Sequence, residues 1–132
     1  MCGKSPEGLQ AQWEFVPWSP ETELQWLESI DIGIMPLEND EWSRGKCAFK
    51  LLQYMSHGKP VIASAVGENL VAVEHGRTGF LARSEGEWQS GFEMLLIDGK
   101  LRRTMGDAGY ARFLSIYDRG VVQSQIAELL GR

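Results

Sequence analysis

The sequence predicts an α/β fold, a parallel sheet flanked by helices, and three observations carry that reading. Two short apolar runs, Ile32 to Leu37 and Pro60 to Ser64, have the length and composition of buried strands. A segment of helical period, Lys46 to His57, lies between them and is stopped by Gly58 and Pro60. Three capped helical segments then close the chain, opened by Ser84 with Glu87, by Asp98 and by Asp118. Strands that alternate with helices imply parallel pairing with both faces covered.

Taken in order, the first expected strand is Glu14 to Pro17. Ser19 followed by Pro20 reads as an N-cap with proline in the first turn, opening a helix through Leu24 and Leu27 that ends near Ser29. Gly33 and Pro36 mark Ile32 to Leu37 as a strand running into a loop, expected from Glu38 to about Arg44. After the strand Pro60 to Ser64, Gly67 and Glu68 suggest a turn into a short helix, and Gly76 to Ala82 a turn and a short extended piece. The last helix ends at Leu130 and Gly131. About three strands are countable, against the usual five or six of a doubly wound mononucleotide sheet. The reading is therefore one partial domain over residues 1–132 that lacks the first strands of its sheet.

Composition narrows the function. The chain has 132 residues, 43% of them hydrophobic, enough for one core. A formal net charge of -5 gives no extended positive field, which argues against nucleic acid as a partner. Cys2 and Cys47 form no C-x-x-C or Cys/His cluster, so neither a disulfide scaffold nor a metal site is indicated, and a reducing, cytoplasmic setting is expected. No apolar run reaches the roughly 18 residues of a membrane span. Peripheral contact with the inner face of a membrane stays open through a part outside these residues.

The segment Lys46 to His57 carries the chemistry. Ala48, Leu51, Leu52 and Met55 recur at i, i+3, i+4 and i+7 and form the face expected against the sheet. Lys46, Lys50, Gln53 and His57 form the opposite ridge. A solvated face explains Gln53 and His57 equally well. Arg44, Lys46 and Lys50, however, crowd a helix N-terminus that already carries about half a positive charge. Cations there repel the helix end unless an anion sits on it, held by free backbone N–H groups with Gly45 allowing close approach. A phosphate or diphosphate fits, and the loop emerges where ligands enter open α/β sheets. Ordinary surface basicity is the competing explanation.

Other signals fall away. Gly3-Lys4-Ser5 mimics a Walker A ending but lacks its first glycine, and Pro6 stands where that helix begins. There is no G-x-G-x-x-G, H-E-x-x-H or G-x-S-x-G. His75, before Gly76, reads as a turn residue rather than a base. The five tryptophans fall on no common stripe, and of these Trp18, just after the first expected strand that ends at Pro17, is the candidate for lining a base pocket.

Asp31-Ile-Gly-Ile-Met-Pro36, Arg44-Gly-Lys-Cys-Ala-Phe-Lys50 and Gln53-Tyr-Met-Ser-His-Gly-Lys-Pro-Val-Ile-Ala-Ser64 together resemble the C-terminal domain of GT-B glycosyltransferases, a Rossmann-like domain, and within them the family 4 group of retaining enzymes. The resemblance continues through Val66-Gly-Glu-Asn69 and Gly76-Arg-Thr-Gly-Phe-Leu81 to Tyr117. It implies a domain that binds a nucleotide-diphosphate sugar, with a separate N-terminal domain supplying the acceptor site for a polysaccharide or glycolipid. It implies that Arg44, Gly45, Lys46 and Lys50 hold the diphosphate, Gln53 the ribose, and Pro17 and Trp18 the base, without a metal or other cofactor. Such enzymes commonly carry two glutamates eight positions apart, and here the matching residues are Gly45 and Gln53. That departure supports an alternative, a non-catalytic α/β interaction or phospho-ligand-binding module. No catalytic base, sugar or acceptor is legible.

Overall fold

The computed structural model of the chain describes residues 15–131. Three parallel strands, β1 (Gly33–Met35), β2 (Val61–Ser64) and β3 (Gly79–Ala82), form one sheet in the order β1-β2-β3. Gly33 pairs with Val61, and Val61 with Gly79. The helices are α1 (Pro20–Ser29), α2 (Glu41–Arg44), α3 (Phe49–Ser56), α4 (Asn69–Ala72), α5 (Glu85–Ile97), α6 (Gly99–Ile116) and α7 (Arg119–Leu129). None of them is long and apolar enough to cross a membrane.

Strand alternation divides the core. Val61, Ala63 and Leu81 point to one face and pack with Leu27 of α1 and Leu51, Tyr54 and Met55 of α3. Ile62 and Phe80 point to the other and pack with Leu95 of α5 and Met105 of α6. The apolar stripe expected between Lys46 and His57 is real: Ala48, Leu51 and Met55 are buried and Leu52 is partly so. The sequence caps also hold. Ser19 and Thr22 form a reciprocal capping box on α1, Asp98 caps α6 and Asp118 caps α7. Ser84 caps α5, but the Glu87 carboxylate accepts from the Arg83 amide instead of the N-cap amide.

Three expectations are corrected. Glu14 lies outside the described residues, and Phe15 to Pro17 form no strand. Phe15 and Val16 are exposed, and among the described residues no ladder reaches them, so their β propensity is not used there. The loop after β1 contains the helix α2, because Asp40 accepts from the Ser43 amide at 2.6 Å and caps a turn. The helix expected from Lys46 begins only at Phe49, since Ala48 adopts a left-handed conformation with φ of 54° that a continuous helix excludes.

Two contacts set how the layers lock. A Cβ on Gly106 of α6 would lie 2.0 Å from the Gly58 carbonyl oxygen, so only glycine lets α6 rest on the turn that ends α3. Arg112 of α6 then ties down α4, donating to the Val71 and Ala72 carbonyls and pairing with Glu74. The outer edge of β3 is covered by the segment that leads into it: His75 forms an isolated parallel bridge with Gly79, the Gly76 amide donates to the Gly79 carbonyl at 2.8 Å, and the Leu81 amide donates to His75 Nδ1 at 3.0 Å. His75 therefore sits in a β-bridge, and the turn that the sequence suggests there begins at Gly76.

Gly106→Ala is expected to destabilise the fold by about 1–3 kcal/mol through overpacking against Gly58, read as a lower urea midpoint at unchanged slope. Arg112→Ala is expected to lose about 1.5–3 kcal/mol, with amide exchange rising first in residues 69–73. Uniform exchange across the domain would contradict the local role.

Candidate functional site

The segment between α2 and α3 makes a tight bend. The Gly45 and Lys46 amides close back on Trp42 and Ser43 carbonyls, ending α2, and Ala48 then turns the chain into α3. Gly67, at φ of 53°, supports this bend from beneath. A Cβ there would come within 2.8 Å of the Arg44 carbonyl oxygen, so the close approach and the positive φ both require glycine. A non-glycine residue in the left-handed region costs about 1–2 kcal/mol and is held by its surroundings, here by complete burial of the Ala48 methyl.

The first turn of α3 has no side-chain cap. It shares this with the single turn α4 and differs from α1, α2, α5, α6 and α7, each of which has a serine or aspartate oxygen accepting from its first-turn amides. No acidic residue stands in the first turn of α3 either. Uncapped amides, the positive end of the helix and nearby cations together suit an anion.

The cations are disposed unequally. Arg44 is exposed, with its guanidinium Nε donating to the Asn39 side-chain oxygen at 2.9 Å. Lys46 lies before α3 rather than on it, exposed and close enough to Asp40 to help lower that carboxyl's pKa, which the Ser43 amide lowers most. Lys50 is on α3, and its Nζ meets Glu23 Oε1 of α1 at 2.7 Å. Gln53 lies one turn further along the same face, half-buried, with its Oε1 buried and, among the described residues, without a hydrogen-bond partner. Trp18 is 72% exposed, just ahead of the α1 cap, and Pro17 is exposed beside it. Lys50, the Gln53 amide and the Trp18 indole all help hold the Glu23 carboxyl below the usual carboxylate range, Lys50 most. So Trp18, Lys50 and Gln53 come together, Arg44 to Lys46 flank the bend ahead of them, and Glu23 joins them.

Glu23 was not singled out in the sequence because an acid in a first helical turn is fully explained by the helix dipole. A second polar feature also lacked a motif. At the carboxyl ends of the strands, Leu37, Asn39, Ser64, Arg83, Ser84 and Trp88 line a crevice of about 330 Å³. Ser64 shapes its floor by accepting from the Leu37 amide at 2.8 Å.

Comparison with known proteins agrees with this architecture. Residues 3–98 match the family described as "Glycosyl transferases group 1". The D-inositol 3-phosphate glycosyltransferase of Corynebacterium aurimucosum is 31% identical over 94 residues, which cover 70% of this chain and 21% of that protein. The corresponding protein of Pseudarthrobacter chlorophenolicus is 32% identical over 89 residues, 66% of this chain and 20% of that one. The chain thus spans about a fifth of the length of these curated relatives. Among solved structures, HepE of Anabaena in complex with UDP and glucose superposes with a TM-score of 0.69 at 24% identity, over 81% of this chain and 28% of that one. Sucrose-phosphate synthase of Thermosynechococcus elongatus gives 0.70 at 24% identity, over 83% and 27%. The C-terminal domain of the group 1 family protein LpcC of Francisella tularensis gives 0.64 at 23% identity, over 81% and 53%. The parallel sheet and its helices are those of the GT-B glycosyltransferase structures.

The Glu23 contacts give a pH signature. Its folded pKa is depressed, so the stability it adds is present above the unfolded value, about 4.3 for glutamate, and is lost as pH falls through the lower folded value. Carbon-13 titration of the Glu23 carboxyl is expected to show a midpoint below that value, moving back toward it in Lys50→Met. An unmoved midpoint would remove Lys50 as the main cause.

Proposed function

We propose that this chain, which belongs to the group 1 glycosyl transferases, forms the donor-binding part of a family 4-like retaining enzyme and holds a nucleotide-diphosphate sugar on the N-terminus of α3. The observation that carries the reading is the uncapped first turn of α3 amid Arg44, Lys46 and Lys50. A diphosphate accepts from those amides and draws on the positive helix end, and the cations then favour the bound state. HepE, which shares the fold, has structures with UDP and with UDP-glucose, and this supports a uridine or related nucleotide as the first ligand to try.

In this reading Lys46 and Lys50 offset the charge that develops on the departing diphosphate, the role given to a metal ion elsewhere. Gln53 contacts the ribose, and Trp18 with Pro17 approaches the base. Transfer to a polysaccharide or glycolipid acceptor takes place with a second domain, in a cytoplasmic setting at or near a membrane surface. A second reading, a non-catalytic binding module, draws on Gly45 and Gln53, which stand where the family pattern carries its glutamates. Donor hydrolysis and transfer by the complete protein separate the two.

Calorimetric titration with UDP, GDP and ADP tests the donor site. One nucleoside diphosphate is expected to bind, with Lys46→Ala and Lys50→Ala each weakening it about tenfold or more, the value of a charge-assisted hydrogen bond. A folded sample that binds none of the three at millimolar concentration would overturn the proposal.

A further inference from the structure

We infer that Glu23 of α1, together with Gln53, is the recognition element for the ribose hydroxyls of the bound nucleotide, an inference that rests on the donor-site reading above. The geometry comes from two helices. Glu23 Oε1 meets Lys50 Nζ at 2.7 Å, which brings the carboxylate of α1 onto the polar face of α3. Gln53 follows Lys50 on that face by three residues, an axial rise of about 4.5 Å. A diphosphate seated on the first turn of α3 has its ribose one phosphoester link away, and one helical turn is the matching step. Trp18, mostly exposed just ahead of the α1 cap, offers an aromatic face where the base would follow.

The hydrogen-bonding capacities match a diol. Ribose presents two neighbouring hydroxyls, each able to donate. A carboxylate has about four acceptor sites. Lys50 donates to the Glu23 carboxylate at 2.7 Å, which leaves acceptor capacity for a hydroxyl. Among the described residues, Gln53 Oε1 is a buried acceptor without a partner. Such an orphan costs free energy in the empty protein, and a rotamer change that turns it toward a hydroxyl removes that cost.

A simpler role for Glu23, neutralising Lys50, makes a different prediction. It treats every anion alike, whereas ribose recognition depends on the hydroxyls. The full chain is titrated with UDP, GDP and ADP, each against its 2′-deoxy counterpart, and with pyrophosphate, for the wild type, Glu23→Gln and Glu23→Ala. None of these ligands carries a donor sugar, so any discrimination belongs to the ribose. The wild type is expected to prefer the ribonucleotide about tenfold or more. Both variants are expected to bring that ratio within about twofold, with pyrophosphate binding equal or tighter because Lys50 is released, and with unchanged circular dichroism. An equal preference in wild type and variants would overturn the inference and leave the donor site standing, as would a wild type that binds both nucleotides equally. No binding of any nucleotide or of pyrophosphate would overturn both.

Discussion

The approach of α6 to the turn after α3 is the constraint from which the rest follows. With no side chain at Gly58 or Gly106, backbone meets backbone, and the position of α3 along the sheet is set by that contact at its rear end. Leu51, Tyr54 and Met55 then fix its rotation by filling one face of the sheet. A helix held in translation and rotation presents its remaining face and its front end in one geometry. The backbone positions of Lys50 and Gln53 are accordingly set by core packing, and the Lys50 ammonium is then held by Glu23.

At the front end the fold departs from its own habit. Five of the described helices have first-turn amides satisfied by serine or aspartate, while α3, like the single turn α4, has nothing in that role and begins after a left-handed alanine. Unsatisfied amides, backbone strain and clustered cations each oppose folding slightly, and all three occur within a few residues of Ala48. Strain and unmet polarity gathered in this way mark a place shaped for binding more than for stability.

Much of the fold was legible because caps and periodicity are local. The extent of α1, the buried strands and the three closing helices followed from Ser19, the Gly58 and Pro60 stop, and the caps Ser84, Asp98 and Asp118. The start of α3 was not legible, since a left-handed alanine has no sequence signal and alanine ordinarily favours helix. The short helix α2 was read as loop because its four residues offer no period. Within the site, the basic residues could be found from their conflict with the helix dipole. Glu23 could not, because its meaning depends on a contact 27 positions away in sequence.

The histidine at the edge of β3 has a consequence for the protein's behaviour as a material. An edge strand is a template for strands of other molecules, and here the Leu81 amide is withdrawn from that role by a single lone pair on His75. The Gly76 amide, given to the Gly79 carbonyl at 2.8 Å, closes the same edge two residues earlier. Both guards come from the segment that leads into β3, so the strand carries its own edge cover and needs no further element to keep other molecules from pairing there.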